Sequence, residues 1–372
     1  MKILIIGGHL SPALSVIDSI PKDWEVLFVG RKHVFEDEKS LSLEYKTIND
    51  LKIPFEEIST GRLQRKFSKN TIPSLLKLPS GFLKAFTILK KFKPDVVLGF
   101  GGYLQVPIIL ASFFLKIPVV LHEQTLESGF ANKICSPIAK KICISWESSV
   151  KFFPKEKTVL VGNPVRKEIV KDSNLEFKTE EGSSNLPVIY ITGGSSGSHF
   201  INSLIEDLIR KLLIDFKLIH QTGDSHIYND YERFYNLYTK LPKELGKNYS
   251  LHKFIKPFKI GKILKKAEFV ISRSGINTIT ELIFTKKPAI LIPLPFSQNN
   301  EQLKNALFLE ELGLAKIILQ KEASPQVLLS AINSMHESID KYAKKSENIK
   351  DLIKEDAADK IIKVVRQCVL KN

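Results

Sequence analysis

Short apolar runs of strand length alternate with segments of helical periodicity along this chain, and the alternation begins twice. Each series opens with a strand and a glycine-bearing loop, at residues 2–9 in the first series and 188–198 in the second. Residues 167–187, which separate the two series, are polar and carry no periodic pattern, and this favours a linker. Alternation of this kind is typical of parallel, doubly wound sheets. The sequence therefore predicts an α/β protein with two Rossmann-like domains that face a cleft.

The expected domain boundaries follow from these breaks in the pattern. Residues 1–163 would form an N-terminal domain and residues 164–340 a C-terminal domain. A last helical stretch, residues 341–372, would pack back toward the N-terminal domain. A length of 372 residues with 43% hydrophobic content suits two ordinary globular domains.

Hydropathy and cysteine content indicate the expected cellular location of the chain. No run reaches the roughly 18 apolar residues of a membrane span, and Met1 leads directly into a buried strand rather than a signal peptide. Cys135, Cys143 and Cys368 lack the spacing of metal ligands and suit a reduced cytoplasm as packed thiols.

The net charge is +15, and nine Lys or Arg residues fall between residues 61 and 93 without an acid. A lysine-rich proteome would by itself explain the excess of positive charge. A nucleic-acid partner is not expected, because no recognition motif is present. The same segment is apolar at helical spacing, through Leu75, Leu78, Phe82, Phe86 and Leu89. Such a stripe can simply pack on a sheet. Its surplus of apolar and basic residues is more typical of an interfacial helix.

We therefore expect residues 61–93 to bind the anionic inner leaflet, at the cytoplasmic face of the plasma membrane. Pro79 would divide the segment into two short helices, with Ser80 available as a cap.

Residues 269–306 contain strand, loop, helix, strand, loop and helix in succession. Loops that follow parallel strands open at the carboxyl edge of the sheet, where α/β folds bind ligands. The polar side chains expected to converge there are Arg273, Ser274, Asn277, Thr278, Glu281, Gln302 and Asn305. Glu281 alone would be read as a solvated acid near a helix start. The set together predicts a polar ligand site.

In each series, a glycine loop follows the first strand. Residues 193–198 fit a phosphate cradle, because glycine leaves backbone amides open to an anion at a helix N-terminus. The other loop, Gly7-Gly8-His9, adds an imidazole that is a candidate base or an ordinary structural histidine.

Other polar groups also follow strands. His122, Glu123 and Gln124 end one strand, and three such groups are costly to bury without partners. Arg166 precedes the polar linker, where it could hold a diphosphate or form a salt bridge. The chain contains no Asp-x-Asp pair, so a diphosphate-bound metal would lack its usual carboxylates.

Several motifs in order resemble the MurG family of glycosyltransferases over nearly the whole length. They are PDVVLGFGGY at 94–103, PVVLHEQ at 118–124, VGNPVR at 161–166, GGSSG at 193–197, HQTG at 220–223 and the RSG, TE and NNEQLKNA series within 273–306.

This resemblance implies a GT-B fold with the donor in the C-terminal domain and the acceptor in the N-terminal one. It implies inverting transfer of N-acetylglucosamine from UDP-N-acetylglucosamine to a lipid-linked muramyl peptide (lipid I) in peptidoglycan synthesis, with no metal and no cofactor. His9 would be the base, with Glu123 as the alternative.

The resemblance also assigns binding residues. Arg166, Ser195, Gly194 and Gly197 would hold the diphosphate, and the remaining donor contacts would be Phe254 and Ile255 at the uracil, Glu281 at the ribose, Gln302 at the sugar, and Asn277, Thr278 and Asn305 along the same pocket. The acceptor contacts would be Gly8, His9, Gly101, Gly102, Tyr103, His122 and Asn132.

The chain departs from the family pattern in its first loop. The family reads GGTGGH, whereas Gly7-Gly8-His9 is about three residues shorter. Thr125 replaces the family's Asn after His-Glu-Gln, and Glu301 stands where some members carry Gln. A glycosyltransferase for another lipid such as diacylglycerol, a UDP-sugar 2-epimerase and a silent UDP-sugar-binding homologue therefore stay open as alternatives.

Overall fold

The computed structural model describes residues 1–33, 41–60, 78–173, 186–194, 197–223, 225, 227–347, 349 and 352–370. Ser195 and most of the basic segment, residues 61–77, lie outside the described residues. The chain divides into two compact units. The first consists of Met1–Arg166 with Lys354–Asn372, and the second of Lys167–Ile353.

The first unit is built on a seven-stranded parallel sheet in the order β3-β2-β1-β4-β5-β6-β7. Its strands are β1 (Lys2–Ile6), β2 (Glu25–Gly30), β3 (Phe55–Glu57), β4 (Val96–Gly99), β5 (Val119–Glu123), β6 (Lys141–Ile144) and β7 (Thr158–Leu160). Its helices are α1 (Leu10–Ile17), α2 (Leu43–Asp50), α3 (Leu78–Phe92), α4 (Gln105–Phe114), α5 (Phe130–Cys135) and α15 (Ala357–Leu370).

The second unit holds a six-stranded parallel sheet in the order β10-β9-β8-β11-β12-β13. Its strands are β8 (Val188–Thr192), β9 (Lys217–Gln221), β10 (Tyr249–His252), β11 (Phe269–Ser272), β12 (Ala289–Leu291) and β13 (Ala315–Ile317). Its helices are α6 (Lys167–Ser173), α7 (His199–Asp215), α8 (Asp230–Tyr238), α9 (Lys243–Gly246), α10 (Ile260–Lys266), α11 (Ile276–Thr285), α12 (Glu301–Glu311), α13 (Pro325–Glu337) and α14 (Ile339–Glu347).

Helices cover both faces of the first sheet, which is why its central strands are apolar on both sides. One face carries a core formed with α1 and α15, and the opposite face a core formed with α3 and α4. In β1 every residue after Lys2 is fully buried. The predicted class, two doubly wound parallel α/β domains, is confirmed.

Strand order reverses at one point in each sheet, and this sets where ligands can bind. In the first unit β2 and β4 flank β1, and in the second β9 and β11 flank β8. Loops after the two strands at such a switch point diverge to opposite faces and leave a crevice. The crevices therefore form beside the loops that follow β1 and β4, and beside those that follow β8 and β11.

Some predicted boundaries differ from the structure. The first residues of the expected linker form helix α6, which packs against α10. The expected final helical stretch is two helices, α14 in the second unit and α15 on the sheet of the first. Pro79 lies in the first described turn of α3, where a missing amide is tolerated.

Candidate active site

A cavity of about 430 Å³ opens at the switch point of the second unit. It is lined by Gly193, Gly194, Gly197, Ser198, His199, Phe200, Tyr228, Arg273, Gly275, Thr278, Leu294 and Gln302. These residues come from the loops after β8, β9, β11 and β12 and from the starts of α7, α11 and α12. Four of the predicted donor residues (Gly194, Gly197, Thr278 and Gln302) are thus brought together.

The glycine loop after β8 leads directly into α7, a helix of 17 residues. Gly194 and Gly197 have φ of 84° and 74°, a region that side chains disfavour. A Cβ at Gly197 would overlap the carbonyl oxygen of Thr222, whereas a Cβ at Gly194 would meet nothing within 4 Å. Gly194 therefore faces open space at a helix N-terminus, where backbone amides and the helix dipole favour an anion.

Arg273 brings a fixed positive charge to this cavity. Its Nε donates to Ser198 Oγ (3.1 Å) and its Nη1 to the carbonyl oxygen of Ile292 (2.9 Å). Burial lowers the pKa of Arg273 to about 10, so the guanidinium keeps its charge at neutral pH. The cation and the glycine loop together suit an anionic ligand.

Gln221 connects the glycine loop to a predicted uracil contact. Its Nε2 donates to the carbonyl oxygen of Gly194 (2.8 Å), and its Oε1 accepts from the amide of Ile255 (3.0 Å). The residue was visible in the HQTG motif, but its bridging role depends on contacts between distant segments. The sequence likewise gave no signal for His199, Phe200, Tyr228 and Leu294 as cavity residues.

Among the described residues, the other predicted donor residues do not line the cavity. Ile255 is buried and Phe254 more exposed, while Asn277 and Glu281 are partly exposed on α11. Asn305 is fully buried and its Nδ2 donates to the carbonyl oxygen of Ser274 (3.0 Å), so it braces the loop after β11. Arg166 is the last residue of the first unit.

In the first unit, the loops after β1 and β4 interlock through glycine. A Cβ at Gly8 would overlap the carbonyl oxygen of Gly101, and one at Gly102 would lie 3.2 Å from the Cα of Gly8. The imidazole of His9 lies against Gly101, where a Cβ would be 3.2 Å from its Cδ2. Glycine is required at these positions by the close approach of the two backbones.

His9 is the N-cap residue of α1, but its side chain makes no capping hydrogen bond. Burial lowers the pKa of His9, while the negative charge of Glu123 acts in the opposite direction. The imidazole is therefore neutral at physiological pH, which is the form that can accept a proton.

Glu123 is buried and its carboxylate is occupied by the protein. Oε1 accepts from the amide and the hydroxyl of Thr125 (3.0 and 2.6 Å). Oε2 accepts from the amide of Gly129 (2.7 Å) and from Asn132 Nδ2 (3.0 Å). Asn132 continues to Gln105, which receives the amide of Gly101 (2.9 Å). This network fixes the loop that carries Gly101, and Gln105 in it was not predicted.

His122 is also buried, and burial lowers its pKa to about 3, so it is neutral. Its Nε2 pairs with Ser145 Oγ (3.1 Å), and its ring packs on Phe100. The predicted acceptor residues His122 and Asn132 are thus both buried inside the first unit, whereas Tyr103 is partly exposed beneath the guanidinium of Arg31.

An apolar and basic surface lies on α3 and α4. Leu83, Phe113 and Phe114 are 65%, 58% and 62% exposed, and Phe82 meets Phe114 edge to face (5.9 Å between ring centroids). Exposed lysines on or beside these helices are Lys84, Lys90, Lys91, Lys93 and Lys116. In the predicted stripe, Leu89 is buried and Phe82 and Phe86 pack against the core. The exposed apolar face is therefore on a different side of α3 from the one predicted.

The described part of the chain has neither a membrane-spanning helix nor a cluster of metal-ligating side chains. Among these residues no helix combines the length and apolar character needed to cross a membrane. In the same ranges, no three His, Cys, Asp or Glu side chains are grouped to hold a metal ion.

Comparison with known families gives matches in both units. The glycosyltransferase family 28 N-terminal domain matches residues 6–144, and the family 28 C-terminal domain matches residues 188–361. A curated relative from Clostridium tetani is 31% identical over 373 residues, covering 98% of both chains. Its name is UDP-N-acetylglucosamine--N-acetylmuramyl-(pentapeptide) pyrophosphoryl-undecaprenol N-acetylglucosamine transferase.

Solved structures share the architecture. The crystal structure of MurG from Acinetobacter baumannii has a TM-score of 0.69 at 24% identity, covering 98% of this chain and 99% of that one. A putative UDP-N-acetylglucosamine 2-epimerase from Listeria monocytogenes has a TM-score of 0.66 at 12% identity, covering 100% and 97%. These likenesses show the fold, which is the predicted GT-B fold, and they do not separate the two activities. The family 28 matches and the full-length identity do separate them, and the chain belongs to the MurG family of glycosyltransferases.

Proposed function

We propose that this chain transfers N-acetylglucosamine from UDP-N-acetylglucosamine to an undecaprenyl-pyrophosphoryl-linked N-acetylmuramyl pentapeptide. The observation that carries the proposal is the 31% identity to the Clostridium tetani transferase over 98% of both chains. The fold alone would fit an epimerase equally well.

The donor is assigned to the cavity of the second unit. Its diphosphate would lie against the loop at Gly194 and the N-terminus of α7, with Arg273 as counter-charge. Gln302 and Thr278, on the same wall, would contact the sugar. A group leaving as UDP must have its developing charge stabilised, and amides and a guanidinium that are already in place do this without reorganisation.

His9 is assigned as the general base. The acceptor hydroxyl oxygen attacks the anomeric carbon, the bond from that carbon to the UDP oxygen breaks, and His9 takes the hydroxyl proton. A single displacement of this kind inverts the anomeric centre. Two observations favour His9 over Glu123. Burial keeps the His9 imidazole neutral, so it can accept a proton. The carboxylate of Glu123 already accepts four hydrogen bonds from neighbouring residues of the first unit.

The surface of α3 and α4 is assigned to the membrane. Exposed Leu83, Phe113 and Phe114 would enter the interfacial region, and the surrounding lysines would meet anionic headgroups at the cytoplasmic face. A lipid-linked acceptor must be reached at such a surface. This assignment replaces the predicted stripe of Phe82, Phe86 and Leu89, whose packing against the core leaves it less available.

The deciding experiment is turnover with radiolabelled UDP-N-acetylglucosamine and purified lipid-linked muramyl pentapeptide. We expect label in the lipid fraction and release of UDP. Parallel reactions would contain diacylglycerol or no acceptor. Label on diacylglycerol alone, or conversion of the donor to its 2-epimer without acceptor, would contradict the proposal.

A further inference from the structure

Glu44 places a carboxylate beside the first glycine loop. The residue lies in the first turn of α2, which Ser42 caps by accepting the amide of Tyr45. Its Oε2 accepts the amide of Arg31 (3.0 Å), directly after β2. The carboxylate also lies against the loop after β1 at Gly7, and the amide of Gly8 in that loop acts to lower the pKa of Glu44. One side chain thus joins the carboxyl ends of two neighbouring strands.

The glycines around this carboxylate leave the space that it fills. A Cβ at Gly7 would overlap Glu44 Oε1, and a Cβ at Gly30 would overlap Oε2. Burial raises the pKa of Glu44, and the amide and charge of Arg31 and the amide of Gly8 act against that rise. The cost of burying a carboxylate is therefore offset by donors from the two loops.

The same loop is held from its other side by the loop after β4. Gly8 closely approaches the backbone of Gly101, and the His9 ring lies on Gly101. The Gly101 amide is itself fixed by Gln105 (2.9 Å). The short segment that carries His9 is thus clamped between Glu44 and Gly101.

We propose that Glu44 is a positioning residue, whose carboxylate is fixed by the Arg31 amide, packs against the loop after β1 at Gly7 and thereby sets His9 in place for proton transfer. The proposal rests on the proposed function, since it assigns Glu44 a part in the reaction of His9. It explains how a loop about three residues shorter than the family pattern GGTGGH keeps a defined conformation: an internal carboxylate packs against it.

The test compares Glu44→Ala and Glu44→Gln with Asp50→Ala, a matched removal of an exposed acid on the same helix. At saturating substrates, we expect Glu44→Ala to lower kcat about 10–100-fold, because small misplacements of a reacting group have effects of this size. The donor KM should stay within about twofold, and Glu44→Gln, which keeps one acceptor oxygen, should lose less. Asp50→Ala should retain wild-type kcat.

A double-mutant cycle with His9→Ala separates positioning from general damage. If Glu44 acts through His9, Glu44→Ala should have no further effect on kcat in the His9→Ala background. An equal fold-loss in both backgrounds, or wild-type kcat in Glu44→Ala, overturns the proposal. If Glu44→Ala does not fold, as judged by thermal unfolding, the same cycle with Glu44→Gln decides.

A spectroscopic readout distinguishes failure of this proposal from failure of the proposed function. With histidine ring nitrogens labelled for NMR, the His9 resonances should shift in Glu44→Gln and stay unchanged in Asp50→Ala. Unshifted His9 resonances overturn the positioning role whatever the activity. The His9 resonances could shift while the His9→Ala variant turns over normally. That result would confirm that Glu44 positions His9, but it would overturn His9 as the base and with it the proposed role of Glu44 in the reaction.

Discussion

The loops after β1 and after β8 occupy the same topological place in their units, yet the space beside their glycines is used differently. At Gly194 the space beside the backbone is empty and belongs to a cavity of about 430 Å³. At Gly7, by contrast, the space beside the backbone is filled by the carboxylate of Glu44. The loop after β8 thus borders open space, whereas the loop after β1 packs against an internal carboxylate. A glycine-rich turn after a strand therefore does not by itself indicate a phosphate site.

The largest expected effect is that of His9→Ala, which tests whether the filled loop carries the chemistry. Turnover should fall about 10²–10⁴-fold, as is usual on loss of a general base. UDP affinity should be unchanged, because the cavity lies in the other unit. Calorimetry with UDP and steady-state kinetics would measure the two. Normal turnover would remove His9 from the reaction.

The pH dependence of kcat is a second test of His9 as the general base. Because burial lowers the pKa of His9, turnover should be constant above the usual value of 6.5 and fall only as the pH drops through the lowered pKa. A loss of kcat that begins above pH 6.5 would indicate a different base.

The next prediction concerns stability and compares Gly194 with Gly197 in the loop after β8. Gly194→Ala incurs only the backbone strain of positive φ, about 1–2 kcal/mol of unfolding free energy. Gly197→Ala adds overlap with the Thr222 carbonyl and should cost roughly 2–5 kcal/mol. Denaturant titration of both variants measures the difference. Equal losses would mean that the loop rearranges and that the crowding at Gly197 has no consequence.

Arg273→Gln tests the open loop as an anion site. Loss of a charged hydrogen-bond donor should reduce UDP affinity by roughly 1.5–3 kcal/mol, or about one to two decades. Arg210→Gln, an exposed arginine on α7, is the control for loss of net charge. Unchanged UDP binding by Arg273→Gln, measured calorimetrically, would remove the guanidinium from the site.

The smallest effect concerns the membrane surface of the first unit. Lys84→Gln should weaken binding to anionic vesicles by about 1 kcal/mol and leave binding to neutral vesicles unchanged. Lys211→Gln, an exposed lysine of the second unit, should change neither. Co-sedimentation at low salt measures both. Equal losses for the two variants would show attraction by net charge rather than by this surface.

The sequence predicted the architecture because buried parallel strands and their following helices leave strong periodic signals. It also predicted that polar residues such as Thr278 and Gln302 would converge at one edge of the second sheet, and both line the cavity there. It could not predict that Glu44 fills the space beside Gly7, since that contact joins residues distant in the chain. The face of α3 was misjudged for a related reason: the spacing of Phe82, Phe86 and Leu89 is the same whether they meet lipid or a sheet.

The return of α15 to the first sheet means that the second unit is an insertion within the first, entered after Arg166 and left before Lys354. Neither a stop codon nor a protease cut can therefore separate the halves cleanly. A chain ending near residue 353 would retain every described residue that lines the cavity of the second unit. It would strip Ile361, Val365 and Cys368 from the apolar face formed by α1, β4, β5 and β6. Loss of the C-terminal helix would thus expose α1, the helix whose N-cap residue is His9.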